Sequence, residues 1–333
     1  MSIAVIGESH QRLSAAAYLA TLGETVATTC LDTTEYEVAV LSNPSTRQTV
    51  GRLESTPEDE VEGVLIIDTP ETLPATIQAW APILTDRVVV VAACGLSGPI
   101  LVESLCRQHG VLPTVVADAA GYPVLGEMRG SVMTIRAVKR GLLVGVPGQP
   151  EPDVIDVLRR IVPDGTATDR LRSSLSNTNP LLHPPVAVLN ATNIERQIET
   201  TLFRDALTPS VSELINAVDE ERLRVLDKLG LPDVPVLEHF VTYYGDQGLT
   251  GSTLRDALST FPAFTHSRLP QQLHCRFLDQ DVRHGLAPMA ALGDLIGVPC
   301  PRTNAVVEIS STLLRLDLRE DAADIAQAAL ADV

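Results

Sequence analysis

Between Ser176 and Pro185 the chain reads Ser-Asn-Thr-Asn-Pro-Leu-Leu-His-Pro-Pro. One titratable side chain, His183, stands there in a frame set by Pro180 and Pro184. Each proline restricts its own φ and the residue before it. A neutral imidazole can accept or donate a proton close to neutral pH, so a rigidly framed histidine suits acid/base catalysis. It suits a plain packing role equally well. A second span, His274-Cys275-Arg276-Phe277-Leu278-Asp279-Gln280-Asp281-Val282, gathers a histidine, an arginine and two carboxylates. A guanidinium can clamp a carboxylate in two-pronged fashion. A carboxylate beside an imidazole fixes its tautomer and stabilises its charged form. By composition alone the span reads as a surface charge run.

The elements that must position these residues differ between the two halves. In the first half, Ser2 to Ile6 reads as a buried strand ended by Gly7, Gln11 to Leu22 as a helix stopped by Gly23, and Thr25 to Thr29 as a second strand. Strand, tight turn, helix, strand opens a dinucleotide-binding fold. The turn itself is Gly7-Glu8-Ser9-His10-Gln11-Arg12 where the fingerprint is G-x-G-x-x-G or -A, so only the first glycine is present. Two readings follow: His10 and Arg12 contact a phosphate, or they fill the cofactor's space. Thr29-Cys30 stand where a ribose-binding acid is expected, Asp32 comes slightly late, and no basic cluster follows to mark a 2′-phosphate site. The apolar runs Gly63 to Ile67 and Val88 to Ala93 end in the turns Asp68-Thr69-Pro70 and Cys94-Gly95. These lie at carboxyl ends of expected parallel strands, where ligands bind. Gly7, Ser9, His10, Arg12, Thr69, Pro70, Cys94 and Gly95 are therefore the candidate cofactor residues. A strand at Val115 to Asp118, a hairpin from Ser131 to Val138 and Gly141 to Val146, and a helix at Asp153 to Ile161 complete this half. Arg136, Lys139 and Arg140 form a local basic group that reads either as a solvated face or as a ligand contact.

After His183 the pattern turns helical. Helices are expected at Val186 to Ile198, Ser210 to Leu229, Val236 to Tyr244, Ser252 to Ser259, Pro288 to Ile296 and Ala305 to Leu316. On the long one Val211, Leu214, Ile215, Val218, Leu223 and Leu226 face inward, with Asp219, Glu220, Arg222 and Lys228 mostly outside. At 333 residues two domains are expected. A net charge of −17, from 25 Lys+Arg against 42 Asp+Glu, disfavours nucleic acid and anionic membranes as partners. No signal peptide and no membrane-length apolar run is visible. The five cysteines are odd in number and not closely paired, which fits reduced thiols in a cytoplasm better than disulfides or a metal site.

Several stretches together resemble the octopine/nopaline (opine) dehydrogenase family along nearly the whole chain. Ser174 to Pro184 is similar to the family's S-x-x-N-P-x-x-H-P, Ile135 to Arg140 to its I-x-x-V-K-R, and Arg276 to Val282 to its R-Y-x-T-E-D-V. Gly285-Leu286-Ala287-Pro288-Met289 and Gly297-Val298-Pro299-Cys300-Pro301 continue in the family's order. The resemblance implies an α/β Rossmann domain, 1–168, followed by an all-α substrate domain, 169–333. It implies reductive condensation of an α-keto acid with the amino group of an amino acid, using NADH or NADPH. His183 would be the catalytic acid/base, Asp281 its polarising partner, Arg276 the keto-acid clamp, and Asn179 a residue lining the same cleft. The glycine loop departs from the family, as does Asp279-Gln280 in place of Thr-Glu. A non-redox enzyme on the same scaffold is the alternative, and a ligand-binding protein without turnover a third. NAD versus NADP, the substrate pair and the oligomeric state, a homodimer included, stay open.

Overall fold

The structure is a computed structural model that describes residues 1–331 except Cys30, Ser42 and Ser131. Cys30, read as standing where a ribose-binding acid is expected, and the hairpin start at Ser131 thus lie outside the described residues. Two compact units form. The first comprises Met1–Cys94 and Gly98–Ser173, and the second comprises Gly95–Ser97 and the chain from Ser174. The sequence placed the division at 168/169 and did not anticipate that Gly95–Ser97 folds with the helical unit. The reason is local: Leu96 N–H donates to the His284 carbonyl at 3.0 Å, inside that unit.

The first unit is built on an eight-stranded sheet in the order β12-β11-β8-β7-β6-β1-β2-β5. Its strands are β1 (Ser2–Ile6), β2 (Val26–Thr28), β5 (Gly51–Arg52), β6 (Val61–Ile67), β7 (Val88–Ala92), β8 (Val115–Ala119), β11 (Leu143–Val146) and β12 (Thr166–Asp169). From β5 through β8 every neighbouring pair is parallel. In chain order these strands lie 3-2-1-4-5-6, the doubly wound order that binds dinucleotides where the order reverses. Here that point falls between β1 and β6. Both strands are almost wholly buried, which is why they read as unbroken apolar runs. Ile6, Val64, Ile66, Val89 and Val91 share one core with Leu73 and Ile77 of helix α2 (Leu73–Trp80).

A second sheet, β4-β3-β10-β9, was not anticipated. It contains β3 (Glu35–Val40), β4 (Thr46–Thr49), β9 (Val124–Arg129) and β10 (Val132–Val138). The expected pairing of Val132–Val138 with the following strand is wrong: β10 pairs with β9 and β3, while β11 joins the large sheet. Burial explains the split. β10 alternates between partly and fully buried residues, whereas all of β11 is buried. Helix α1 (Gln11–Thr21) packs against strands of both sheets. Its alanines allow the approach, and the Gln11 side chain grips both the N–H and the carbonyl of Gly126 on β9, at 3.2 and 3.4 Å. Helices α3 (Ser97–Gln108) and α4 (Pro152–Ile161) accompany the sheet along the chain.

The second unit contains no strand among the described residues. After α5 (Arg170–Leu175) come α6 (Thr178–Leu189), α7 (Ala191–Glu195), α8 (Pro209–Lys228), α9 (Val236–Tyr244), α10 (Leu254–Thr260), α11 (Arg276–Asp281), α12 (Ala287–Ile296), α13 (Pro301–Leu314) and α14 (Ala322–Leu330). Residues 282–286 form a wide turn of π-helix between α11 and α12. Two expectations fail. The helix expected from Val186 starts at Thr178, with His183, Pro184 and Pro185 inside it. On α8, Asp219 and Arg222 are buried rather than exposed. No described helix is long and apolar enough to cross a membrane.

Candidate functional site

At the switch point of the sheet, Gly7 adopts a φ of 121°, and a Cβ there would collide with the Ile67 carbonyl of β6. Glycine is the residue that accepts both conditions. Beyond it Glu8 and His10 are exposed, while Ser9 is half-buried and takes the Gln11 N–H on its hydroxyl at 3.3 Å. Arg12 folds back, with Nη1 donating to the Gly7 carbonyl. Its charge is therefore held against the turn. Across the switch point Asp68 is buried and organises both loops. Its carboxylate accepts from Glu8 N–H at 3.4 Å, from Thr69 N–H at 2.9 Å, and from the hydroxyls of Thr72 and Thr76. Sequence reading named Thr69 and Pro70 and passed over Asp68, although a carboxylate at a strand end before three nearby threonines was a visible signal. Pro70 is buried and Thr69 pairs its hydroxyl with Thr72 at 2.9 Å. Two cofactor expectations change character. The Cys94 side chain is core, and its thiol faces the Asp68 carbonyl at 3.4 Å. Gly95 belongs to the helical unit, where its missing Cβ admits the His284 carbonyl.

The basic group does not form one solvated face. Arg136 faces Glu127 at 3.7 Å, Arg140 pairs with Asp164, and Lys139 is buried. One cation that sequence reading missed comes to the end of β2. Arg52 pairs in register with Thr28, and its Nη1 donates to the Leu31 carbonyl at 2.7 Å.

In the helical unit, Asn177 caps α6 by accepting the Asn179 N–H at 3.1 Å. Pro180 costs nothing there, because the first turn has no intrahelical acceptor for its missing N–H. Pro184 and Pro185 instead remove the donors that would close on the carbonyls of Pro180 and Leu181. His183 sits directly before this interruption. Its Nδ1 lies 2.6 Å from Asp281 Oδ2, on the last residue of α11. Both groups are nearly enclosed, the His183 side chain 13% exposed and that of Asp281 4%. A carboxylate accepts, which makes Nδ1 the donor of this bond. Phe277 stacks flat on the imidazole, with centroids 3.9 Å apart and planes 5° from parallel. Arg276 Nη2 lies 3.7 Å from the other Asp281 oxygen, and its side chain is 30% exposed. The structure thus brings His183, Asp281 and Arg276 together from stretches far apart in sequence, and Asn179 stands in the first turn of the same helix.

What holds the pair in place is close packing behind it. A Cβ on Gly285 would run into the Pro180 ring, so the π-turn after Asp281 lies directly on α6. Ser97 Oγ meets His284 Nδ1 at 2.9 Å in the same turn. Before α6, Ser176 donates to Asp233 at 2.6 Å. Asp233 also takes a guanidinium bond from Arg222 and one from His239 Nε2 at 3.0 Å, while Arg222 Nε bonds Asp219 at 2.7 Å. Burial would push the Asp233 carboxyl up. The bond and charge of His239, the Arg222 charge and the Ser176 hydroxyl instead hold it well below the usual carboxylate range.

Residues 166–314 match the family described as NAD/NADP octopine/nopaline dehydrogenase, alpha-helical domain. The opine dehydrogenase of Arthrobacter sp. (strain 1C) is 26% identical over 264 residues, 78% of this chain and 72% of that protein. Its helical unit thus matches the opine dehydrogenase family, and the chain as a whole is similar to that family's members. Opine dehydrogenase folds agree with it over nearly all its length. Octopine dehydrogenase in complex with NADH and L-arginine superposes with a TM-score of 0.73 at 12% identity, covering 95% of this chain and 90% of that one. Yersinopine dehydrogenase with NADP+ bound gives 0.70 at 13% identity, covering 99% of each. At such identities the likeness establishes the fold, an α/β Rossmann unit with an all-α opine dehydrogenase unit.

Proposed function

We propose that the chain is an opine-type dehydrogenase that uses NAD(P)H to join an α-keto acid reductively to the amino group of an amino acid. The observation that carries this reading is the enclosed His183–Asp281 pair, with its ring fixed by Phe277 and a guanidinium alongside. The named relatives support the reaction class, and the octopine and yersinopine dehydrogenase structures support the cofactor type. The first unit fits a dinucleotide: Gly7 turns the chain at the sheet's switch point, the amino end of α1 follows, and Arg12 and Arg52 supply positive charge. Gly7, Ser9, His10 and Arg12 would hold its phosphates, with Thr69 and Pro70 on the neighbouring loop. When bound, the nicotinamide supplies a hydride.

The chain's own residues would do the rest. Arg276 grips the keto-acid carboxylate through its planar guanidinium fork. His183 Nε2 takes a proton from the attacking amine and returns one to the departing hydroxyl, so that water leaves and a C=N bond forms. Asp281 keeps Nδ1 protonated and stabilises the imidazolium between these steps. Asn179 lines the same site. Reductant consumption is to be followed with panels of keto acids and amino acids. Turnover that needs both substrates is expected, and His183→Ala should lower kcat by about two to four powers of ten with the fold retained. Near-normal kcat in that variant removes His183 from the mechanism. Condensation without reductant, and without nucleotide binding, would favour the non-redox reading that Ser9 and Arg12 motivate.

A further inference from the structure

We propose that Arg52, assisted by Arg12, is the 2′-phosphate subsite of the first unit and makes NADPH its preferred nucleotide. This deepens the dehydrogenase reading and rests on it.

In a doubly wound sheet the ribose 2′ substituent lies at the carboxyl end of the second strand. A carboxylate there favours the free hydroxyl, and a guanidinium favours a phosphate. The sequence next to β2 offers only Asp32, which is exposed. Folding alters that balance. β5 is only two residues long, Gly51 and Arg52, and it pairs in parallel with Ala27 and Thr28 at the end of β2. Arg52 is thereby delivered to the loop that follows β2 from a position 21 residues away, and its Nη1 bond to the Leu31 carbonyl holds the fork over that loop. That bond uses one amino nitrogen of a side chain that is otherwise exposed. A guanidinium offers five N–H donors in all.

Arg12, in the first turn of α1, places its Nη1 on the Gly7 carbonyl at the end of β1. Both cations and Asp32 act electrostatically on the hydroxyl of Tyr36, on β3. The buried Tyr36 hydroxyl is raised chiefly by burial, further by the Asp32 charge, and is lowered by both Arg52 and Arg12. Of these three charged groups two are guanidinium cations, an excess of one positive charge among them in a protein whose net charge is −17. A dianionic phosphate satisfies that excess and a neutral hydroxyl does not.

The experiment is equilibrium titration of the substrate-free full chain with NADPH and NADH, followed by nucleotide fluorescence, for wild type, Arg52→Ala, Arg52→Lys and Asp32→Ala. Thermal melts confirm that each variant is folded. Wild type should bind NADPH more tightly than NADH. Arg52→Ala should weaken NADPH about 10- to 100-fold, the range for hydrogen bonds to a charged group, and NADH by no more than about threefold. Arg52→Lys should fall between, keeping the charge but losing the fork. Asp32→Ala should leave NADPH binding at least as tight as in wild type. The isolated fragment adenosine 2′,5′-bisphosphate should compete better than adenosine 5′-monophosphate, and this advantage should vanish in Arg52→Ala. Tighter NADH binding by wild type, or an equal loss of both nucleotides in Arg52→Ala, overturns the proposal and reduces Arg52 to a brace for the Leu31 loop while the dehydrogenase reading stands. Binding of neither nucleotide by the folded wild type overturns both.

Discussion

His183 is constrained along two independent directions. Asp281 fixes the ring in its own plane through Nδ1, and Phe277 fixes the orientation of that plane by stacking at 3.9 Å. Stacked aromatic contacts contribute about 0.5–1.5 kcal/mol beyond burial, and a π face also favours a cation above it. Replacing Phe277 by leucine keeps an apolar side chain but removes the face. Phe277→Leu is expected to lower kcat about three- to tenfold, from that same energy range, while KM for both substrates stays within a factor of about two. A KM rise without a kcat loss would instead make Phe277 a wall of the substrate site. Arg276 has a different signature. One nitrogen faces Asp281 at 3.7 Å, and the guanidinium is proposed as the keto-acid clamp. Arg276→Lys substitutes a point charge for the fork, so KM for the keto acid should rise about tenfold, the loss of one charge-assisted bond. KM for the amino acid should change little. Unchanged kinetics would return Arg276 to a service role beside Asp281.

At the scale of elements, the site depends on how closely the π-turn 282–286 can lie on α6. Gly285 permits it, because its Cβ would occupy the place of the Pro180 ring. The two prolines after His183 contribute from the other side, since they relieve α6 of two internal bonds at this contact. Gly285→Ala should destabilise the protein by about 1–3 kcal/mol, the cost of overpacking a filled site. Because the turn begins directly after Asp281, the same variant should lower kcat out of proportion to its melting temperature. Stability and activity are both measured on one preparation. A variant with wild-type melting and wild-type kcat would show that the contact has room to spare.

For the molecule as a whole, the buried cluster of Asp233, Arg222, Asp219 and His239 sets the acid limit of stability. Asp233 titrates below its unfolded value, so its contribution is complete above about pH 4, the ordinary carboxylate value, and is lost progressively as pH falls toward the folded value. The expected slope is at most about 1.4 kcal/mol per pH unit for one such group. Denaturant unfolding at stepped pH should show this loss in wild type and a shallower one in Asp233→Asn. That variant should also be less stable at neutral pH by about 3–5 kcal/mol, because it breaks the buried Arg222–Asp233 pair and leaves Asp219 as the partner of the Arg222 charge. A wild type whose stability is flat below pH 4, the carboxylate reference, would remove Asp233 from this role.

Much of this was legible in the residues. Unbroken apolar runs ending in Gly7 and Asp68 marked buried parallel strands, because a strand covered on both faces has no polar side to display. The segments around His183 and Arg276–Val282 pointed, through their resemblance to opine dehydrogenases, to the pair that the fold joins at 2.6 Å. What required tertiary structure is everything that depends on a distant neighbour. Arg222 and Asp219 read as solvent-facing, but buried charges are tolerated once paired, and Asp233 from beyond the end of α8 supplies the pairing. The helix read as starting at Val186, after the prolines, yet α6 runs through them, capped by Asn177 and with Gly285 packed on Pro180 in its first turn. β10 read as one arm of a hairpin with the next strand, whereas its alternating burial suits a second sheet beside α1. Arg52 had no visible role, because only the pairing of a two-residue strand with β2 carries its charge to the end of β2. Local sequence encodes which residues can act. Long-range pairing, which no window of residues contains, decides which of them meet.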